Sequence, residues 1–343
     1  MSSTVSVVTG ANGHLGANVV RALIERGDRV KVLVHRSSAA LAELGNAVEL
    51  VDGSVIEPAS LRAAFTGADR VYHLAAVISL AGDGDGRMER VNVEGTAHVA
   101  RACREASVER LVHVSSVHAY AQDPLDAILD EARPQVAAGG VGVSAYDRSK
   151  ARSEAIVREA GLDAVIVNPT GVLGPVDFGP SRMGKLICDL AGGRMPALLE
   201  GGFDFVDVRD VATGVLAAGE HGRRGEGYIL GGAWYSLREL ADLVADLSGQ
   251  PAPRFCAPVW AAKIGVPFSM AWARVSGEEP LFTAEALEVV CSNRSISSAK
   301  ARRELGHEPR PLRETIADSL TWFEARGMIP RPIAALTLLL GQR

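Results

Sequence analysis

The sequence predicts an α/β fold, a doubly wound parallel sheet followed by a smaller C-terminal lobe. Three observations predict it. Short β-branched runs alternate with stretches of helical periodicity through the first half of the chain. The first run, Val5-Ser6-Val7-Val8, enters a glycine turn that reads TGANGHLG from Thr9 to Gly16. That turn opens a helical pattern carried by Leu15, Val19, Ala22 and Leu23. After Pro169 the alternation fades, and Gly, Pro and Met become frequent between Gly174 and Met195.

The elements follow in order. Strands are predicted at Val5–Thr9, Arg29–Val34, Val48–Val51, Val71–Ala76, Leu111–Ser115 and Ala164–Asn168. One helix should run from about Leu15 to Arg26, with Gly27 as its stop. A second follows Asn92 through Val99 and Cys103, and a third surrounds Tyr146 to Glu159. The stretch Phe203–Val211 reads as a strand or turn that returns to the first domain. Ser236 and Glu239 form a capping box that opens a helix with Leu237, Leu240, Ala241, Val244 and Leu247 on one side. The expected division is a nucleotide-binding domain over residues 1–172, with a return at about 204–222, then a substrate lobe over 173–330. An apolar tail, residues 331–343, closes the chain; ordinary packing or a subunit interface suits it better than a membrane surface.

Each glycine of the first turn has a physical use. Gly10 permits a tight turn, Gly13 lets the backbone approach a pyrophosphate at the helix N-terminus, and Gly16 lets helix and strand pack closely. The bulk numbers set outer limits. The 343 residues suffice for two domains, and 47% hydrophobic with 22% charged residues is ordinary for a globular chain. A formal charge of −5 gives no global attraction to nucleic acid or to an anionic membrane. Cys103, Cys188, Cys256 and Cys291 are too scattered for a zinc site or a disulfide framework, so no metal is expected. No apolar run approaches the ~20 residues of a membrane span, and a strand begins within a few residues of Met1. A cytoplasmic protein acting on a small molecule, alone or as a homodimer, is the expectation.

Two further motifs carry chemistry. Tyr146 and Lys150 stand four apart on a predicted helix, so they share a face. An ammonium beside a phenol favours the phenolate and should lower a pKa that starts near ~10. Such a tyrosine can give or take a proton near neutral pH. Ser115 and Ser116 end a predicted strand, where ligands of doubly wound folds gather, and a hydroxyl there can hold a carbonyl oxygen.

With these pieces in place, the chain resembles the extended short-chain dehydrogenase/reductase family. The matching segments are TGANGHLG, His73-Leu-Ala-Ala76, Val91-Asn-Val-Glu-Gly-Thr96, Ser115-Ser116, Tyr146 with Lys150, Asn168 to Pro175, and Phe205 to Val211. They cover nearly the whole chain in the family's order. Gly184 to Asp207 and Glu226 to Gly232 are most similar to the dihydroflavonol-reductase-like and hopanoid-associated sugar-epimerase-like branch. The resemblance implies a Rossmann domain and a set of roles. Tyr146 would be the general acid/base, Lys150 its partner and a ligand of the nicotinamide ribose, and Ser116 the substrate-orienting hydroxyl, with Ser115 as the fallback. Gly10, Asn12, Gly13, His14, Leu15 and Gly16 would hold the cofactor's phosphates. Ala75 and Ala76 would line its path, Asn92 would brace the strands beside it, and Pro169 and Val172 would face the nicotinamide. Ile78, Phe178, Met183 and Phe205 would contact substrate.

Two departures bear on the cofactor. Ser54, followed by Val55, occupies the family's usual acidic place beside the adenine. The second strand ends in Val34-His35-Arg36, with no acid for a ribose 2′-hydroxyl, while Arg36 can pair with a 2′-phosphate. NADP(H) is therefore expected over NAD(H). The resulting functional expectation is an NADP(H)-dependent oxidoreductase acting on a carbonyl or secondary alcohol of a largely apolar or aromatic substrate. A nucleotide-sugar epimerase or dehydratase with tightly held NAD is the alternative, and a non-catalytic dinucleotide-binding protein comes third. The glycine-rich loop Ala81–Gly86 reads as a lid edge or a simple turn.

Overall fold

The structure, a computed structural model, describes residues 3–35, 39–78, 83–137, 143–261 and 293–330. The first half alternates as the hydrophobic pattern demands: β1 (Val5–Thr9), α1 (His14–Arg26), β2 (Arg29–Val34), α2 (Ala39–Ala42), β3 (Val48–Asp52), α3 (Pro58–Phe65) and β4 (Arg70–His73). A wide π-helical turn, Glu89–Glu94, leads into α4 (Gly95–Glu105). Then come β5 (Arg110–Val114), α5 (Ala145–Glu159) and β6 (Ala164–Pro169). The second half adds β7 (Gly171–Leu173), α6 (Arg182–Ala191), β8 (Leu198–Leu199), β9 (Gly202–Asp207), α7 (Val208–His221), β10 (Gly227–Leu230) and β11 (Ala233–Ser236). It ends with α8 (Leu237–Ser248), β12 (Cys256–Ala257), α9 (Ala299–Leu305) and α10 (Leu312–Ala325).

Seven strands form one parallel sheet in the order β10-β6-β5-β4-β1-β2-β3. Side chains alternate between its faces, as a period of two requires. Val7, Val71, Leu111 and Ile166 point to the layer of α3, α4 and α5. Their neighbours Val8, Tyr72, Val112 and Val165 point to the layer of α1 and α7. Both faces are covered, which is why the strands read as continuous apolar runs. The helix ends explain themselves locally: Gly27 closes α1 in the left-handed region at φ 93°, while Ser144–Asp147 and Ser236–Glu239 form capping boxes on α5 and α8.

The structure redraws two sequence expectations. The fourth strand stops at His73, not Ala76, because Ala75 N turns from the ladder to the Thr9 hydroxyl at 3.3 Å. The return to the first domain extends past 222. Gly227–Leu230 is the seventh strand, in register with Ile166–Pro169, and α9 packs on it and on α7. The lobe has its own core, in which Ile187, Phe203, Phe205, Leu240, Ile316 and Phe323 join α6, α8 and α10 to the sheet β11-β9-β7. Residues 331–343, including the apolar tail, lie outside the described residues.

Candidate active site

The carboxyl ends of β1, β4, β5 and β6 share one edge of the parallel sheet; the glycine turn, Ala75 and Ala76, Ser115 and Ser116, and Pro169 lie there, and α5 brings Tyr146 and Lys150 to it. The turn after β1 is closed by Gly13 N donating to Gly10 O at 3.1 Å. Gly10 has φ +77°, and a Cβ on it would stand 2.6 Å from Ala75 N on the neighbouring strand end. A Cβ on Gly16 would stand 2.2 Å from Gly10 O. Both positions therefore exclude any side chain. Gly13 differs: its Cβ would meet only Gly10 O, at 3.4 Å, and the residue is exposed. It caps α1 without a side-chain hydrogen bond, so the positive end of a 13-residue helix faces outward over backbone alone. That cradle fits a phosphate group.

The surrounding residues shape the cradle. Asn12 is exposed on its rim and Leu15 is half-buried against the α1 core. His14 Nε2 lies 3.0 Å from Pro175 O, and Nδ1 lies 4.0 Å from Asp177 Oδ2, so this histidine links the glycine turn to the start of the lobe. Ala75 and Ala76 follow β4, the first half-buried and the second exposed. Asn92 clamps this loop: its Oδ1 accepts Val77 N at 2.7 Å, and its Nδ2 donates to Val77 O and to Ser149 Oγ, both at 3.0 Å. It thereby joins the strand-end loop to α5. On the other side, His35 is exposed just past β2, and Ser54 sits in the turn after β3, with its N donating to Ser60 Oγ. Val55 is buried and packs where α4 starts at Gly95. Arg36 lies outside the described residues.

Lys150 and Tyr146 lie together on α5. The Lys150 ammonium is 5.9 Å from the centre of the Tyr146 ring and donates to Val114 O at 3.0 Å, which ties the helix to the end of β5. Ser116, just beyond β5, has its hydroxyl in hydrogen-bonding reach of Tyr146 and accepts His118 N at 3.2 Å. The Ser115 hydroxyl is buried without a partner among the described residues, whereas that of Ser116 joins the tyrosine.

The electrostatics correct one sequence expectation. Burial pushes the Tyr146 phenol up to about 12, with Ser116 pulling it back and Asp147 adding to the rise. Burial outweighs any lowering by Lys150, and it drives the lysine down too, to about 8, against the pull of Glu154. Two buried histidines lie beneath: His73, brought to about 3 by burial and by Lys150, stacks at 5.3 Å on His113, which burial likewise holds well below its usual value.

Pro169 is buried at the end of β6 and Val172 is half-buried in β7, in register with Val206. The expected substrate contacts separate. Ile78 is 54% exposed in the loop after β4, where its carbonyl meets Arg182. Phe178 meets Trp322 edge-on at 5.2 Å and the guanidinium groups of Arg21 and Arg326 at its ring. Met183 and Phe205 belong to the lobe core, since the apolar spacing that suggested a pocket also serves packing. In the loop 81–86, Ala81 and Gly82 lie outside the described residues, and Asp83 is fixed by accepting Met88 N and Glu89 N. Sequence reasoning missed three residues at the site. Glu154 and Asn168 bond each other at 2.6 Å beneath Ser116, and His118 Nδ1 lies 3.6 Å from Asp147 Oδ1. Glu154 left a signal in its spacing of four from Lys150, and Asn168 in opening the matching segment Asn168 to Pro175.

Comparison with known proteins agrees with this geometry. Residues 6–231 match the NAD dependent epimerase/dehydratase family. The chain is 39% identical over 333 residues to sterol demethylase protein B of Methylococcus capsulatus, covering 94% of this chain and 99% of that one. It is 31% identical to a putative dihydroflavonol 4-reductase of Synechocystis, over 94% and 95% of the two chains. Among solved structures, a nucleoside-diphosphate-sugar epimerase from Pseudomonas aeruginosa superposes with a TM-score of 0.79 at 26% identity, covering 96% of this chain and 100% of that one.

Proposed function

Because the chain belongs to the NAD dependent epimerase/dehydratase family, we propose that it is an NADP(H)-dependent reductase of a ketone, acting in reverse as a secondary-alcohol dehydrogenase. The observation that carries this reading is the convergence of Ser116, Tyr146 and Lys150 at the sheet edge that also holds the glycine cradle. Gly10, Gly13 and Gly16 would seat the pyrophosphate on α1, with Asn12, His14 and Leu15 around it. Ser54 and Val55 would meet the adenine, and Pro169, Val172, Ala75 and Ala76 the nicotinamide side. When bound, the nicotinamide supplies the hydride.

The chain's own residues supply position and a proton. Ser116 holds the substrate oxygen. Tyr146, fully protonated at neutral pH with its phenol near 12, donates its proton to that oxygen as charge develops there. The Lys150 ammonium stabilises the phenolate left behind, and its bond to Val114 O keeps it in place. The substrate approaches past Ile78, the exposed apolar side chain of the β4 loop. Relatives named for a sterol and for a dihydroflavonol support a polycyclic, largely apolar substrate for this chain as well. The epimerase neighbour supports a second reading, in which the same tyrosine and lysine act on a nucleotide sugar with retained NAD.

The choice of NADP(H) rests on the sequence Val34-His35-Arg36, which carries no carboxylate of its own to repel a 2′-phosphate and offers a guanidinium to pair with it. Arg36→Ala should weaken NADPH binding by about tenfold or more, as expected for a lost charge-assisted pair, and leave NADH binding within about twofold. Fluorescence titration with each nucleotide measures both constants. Equal losses for the two would remove the 2′-phosphate argument.

A further inference from the structure

Tyr146, Lys150, Glu154 and Arg158 follow one another at intervals of four along α5, so they stack on one face. Glu154 is wholly buried. Its Oε1 accepts Asn168 Nδ2 at 2.6 Å, while its Oε2 accepts Arg158 Nη2 at 2.9 Å and also the Gln135 amide. The same Asn168 nitrogen donates to Ser116 O at 3.1 Å. A single amide on β6 thus ties the carboxylate on α5 to the backbone of the serine beyond β5. A buried carboxylate is retained only where its surroundings compensate it, and here donors come from three separate segments.

We propose that Glu154 is a positioning residue: it is the buried counter-charge of the Lys150 ammonium, locked in register with Ser116 through Asn168. This rests on the reading of Ser116, Tyr146 and Lys150 as the reacting set. The other titratable or charged groups facing this stripe are His73 on β4, His113 on β5, Tyr120 and Glu131 beyond β5, and Arg158 on α5 itself. Burial and the neighbouring Lys150 keep both histidines neutral, and burial keeps Tyr120 protonated. Glu131 bonds Ile229 N and, with Glu154, acts on Tyr120, while Glu154 is the carboxyl group that acts on Lys150. The role of Glu154 is therefore to offset the burial that would otherwise strip the proton from Lys150.

The test reads Lys150 directly and needs no substrate, so its failure is separable from failure of the reductase reading. The chain has five lysines. Labelling them with carbon-13 at Cε and titrating by NMR, with Lys150→Arg for assignment, gives the Lys150 midpoint. The expected midpoint is near 8 in the unaltered protein. Glu154→Gln should lower it by about one pH unit, a tenfold rise in the neutral-to-charged ratio at any given pH. Glu154→Asp should restore it. Asn168→Ser keeps the charge and should leave the midpoint in place; a shift matching that of the glutamine variant would mean that the midpoint reports packing, and would overturn the proposal. If the glutamine variant does not fold, Arg158→Gln, on the partly exposed end of the stripe, should raise the midpoint by freeing the carboxylate from its cation. Coincident titrations of the unaltered protein and either charge variant would overturn the assignment.

Discussion

Tyr146→Phe should reduce turnover by about 10²–10⁴-fold while leaving dinucleotide affinity within about twofold. The phenylalanine keeps the ring that the Lys150 ammonium faces at 5.9 Å and removes only the hydroxyl that meets Ser116. What is lost is the proton, and among the described residues no other group is paired with Ser116 in this way. His118, whose amide bonds the Ser116 hydroxyl, is another titratable side chain close by, but burial lowers it and its ring is engaged toward Asp147. Steady-state kinetics together with nucleotide binding measure the two quantities separately. Retained turnover in the phenylalanine variant would move the acid role elsewhere, with His118 first in line.

The glycine cradle gives the second large effect, as a contrast between two substitutions. Gly10→Ala puts a Cβ at φ +77° and 2.6 Å from the backbone nitrogen of Ala75, so β1 and β4 must move apart at their ends. Left-handed backbone in a residue with a Cβ and an overpacked backbone contact together cost about 2–5 kcal/mol. Stability and nucleotide affinity should both fall. Gly13→Ala has ordinary backbone geometry and one loose contact at 3.4 Å, so its melting temperature should stay near that of the unaltered protein. Its affinity should nevertheless fall by about tenfold or more, because the new methyl group occupies the space over the α1 N-terminus. Thermal melts beside nucleotide titrations distinguish the two. A Gly13→Ala protein that binds as tightly as the original would place the phosphates elsewhere.

Much of the sheet was legible because its signals are local. β1 and β2 fall where their β-branched alternation ends, and Gly27 and Ser236 punctuate helices by backbone chemistry that neighbouring residues determine. Tyr146 and Lys150 were legible for the same reason, since a spacing of four is a property of one helix. What the sequence hid depends on segments far apart in the chain. The strand Gly227–Leu230 is a short apolar run that acquires meaning only by pairing with Ile166–Pro169. Phe205 and Met183 could line a pocket or fill a core, and only the positions of α6, α8 and α10 decide for the core. The phenol was expected to be acidic because pairing with Lys150 was visible while burial was not; burial dominates both groups. Asn168, bridging Ser116 and Glu154, reaches back 52 residues to the first and 14 to the second.

The most direct test of the reductase reading is hydride transfer itself. The protein should be incubated with NADPH carrying deuterium at the transferable C4 position and a panel of polycyclic and aromatic ketones, and the products examined by mass spectrometry. The account predicts NADPH consumption with one deuterium on the new carbinol carbon, lost in the Tyr146→Phe variant. A protein that carries NAD through purification, interconverts a nucleotide sugar and transfers no deuterium to any ketone would contradict it.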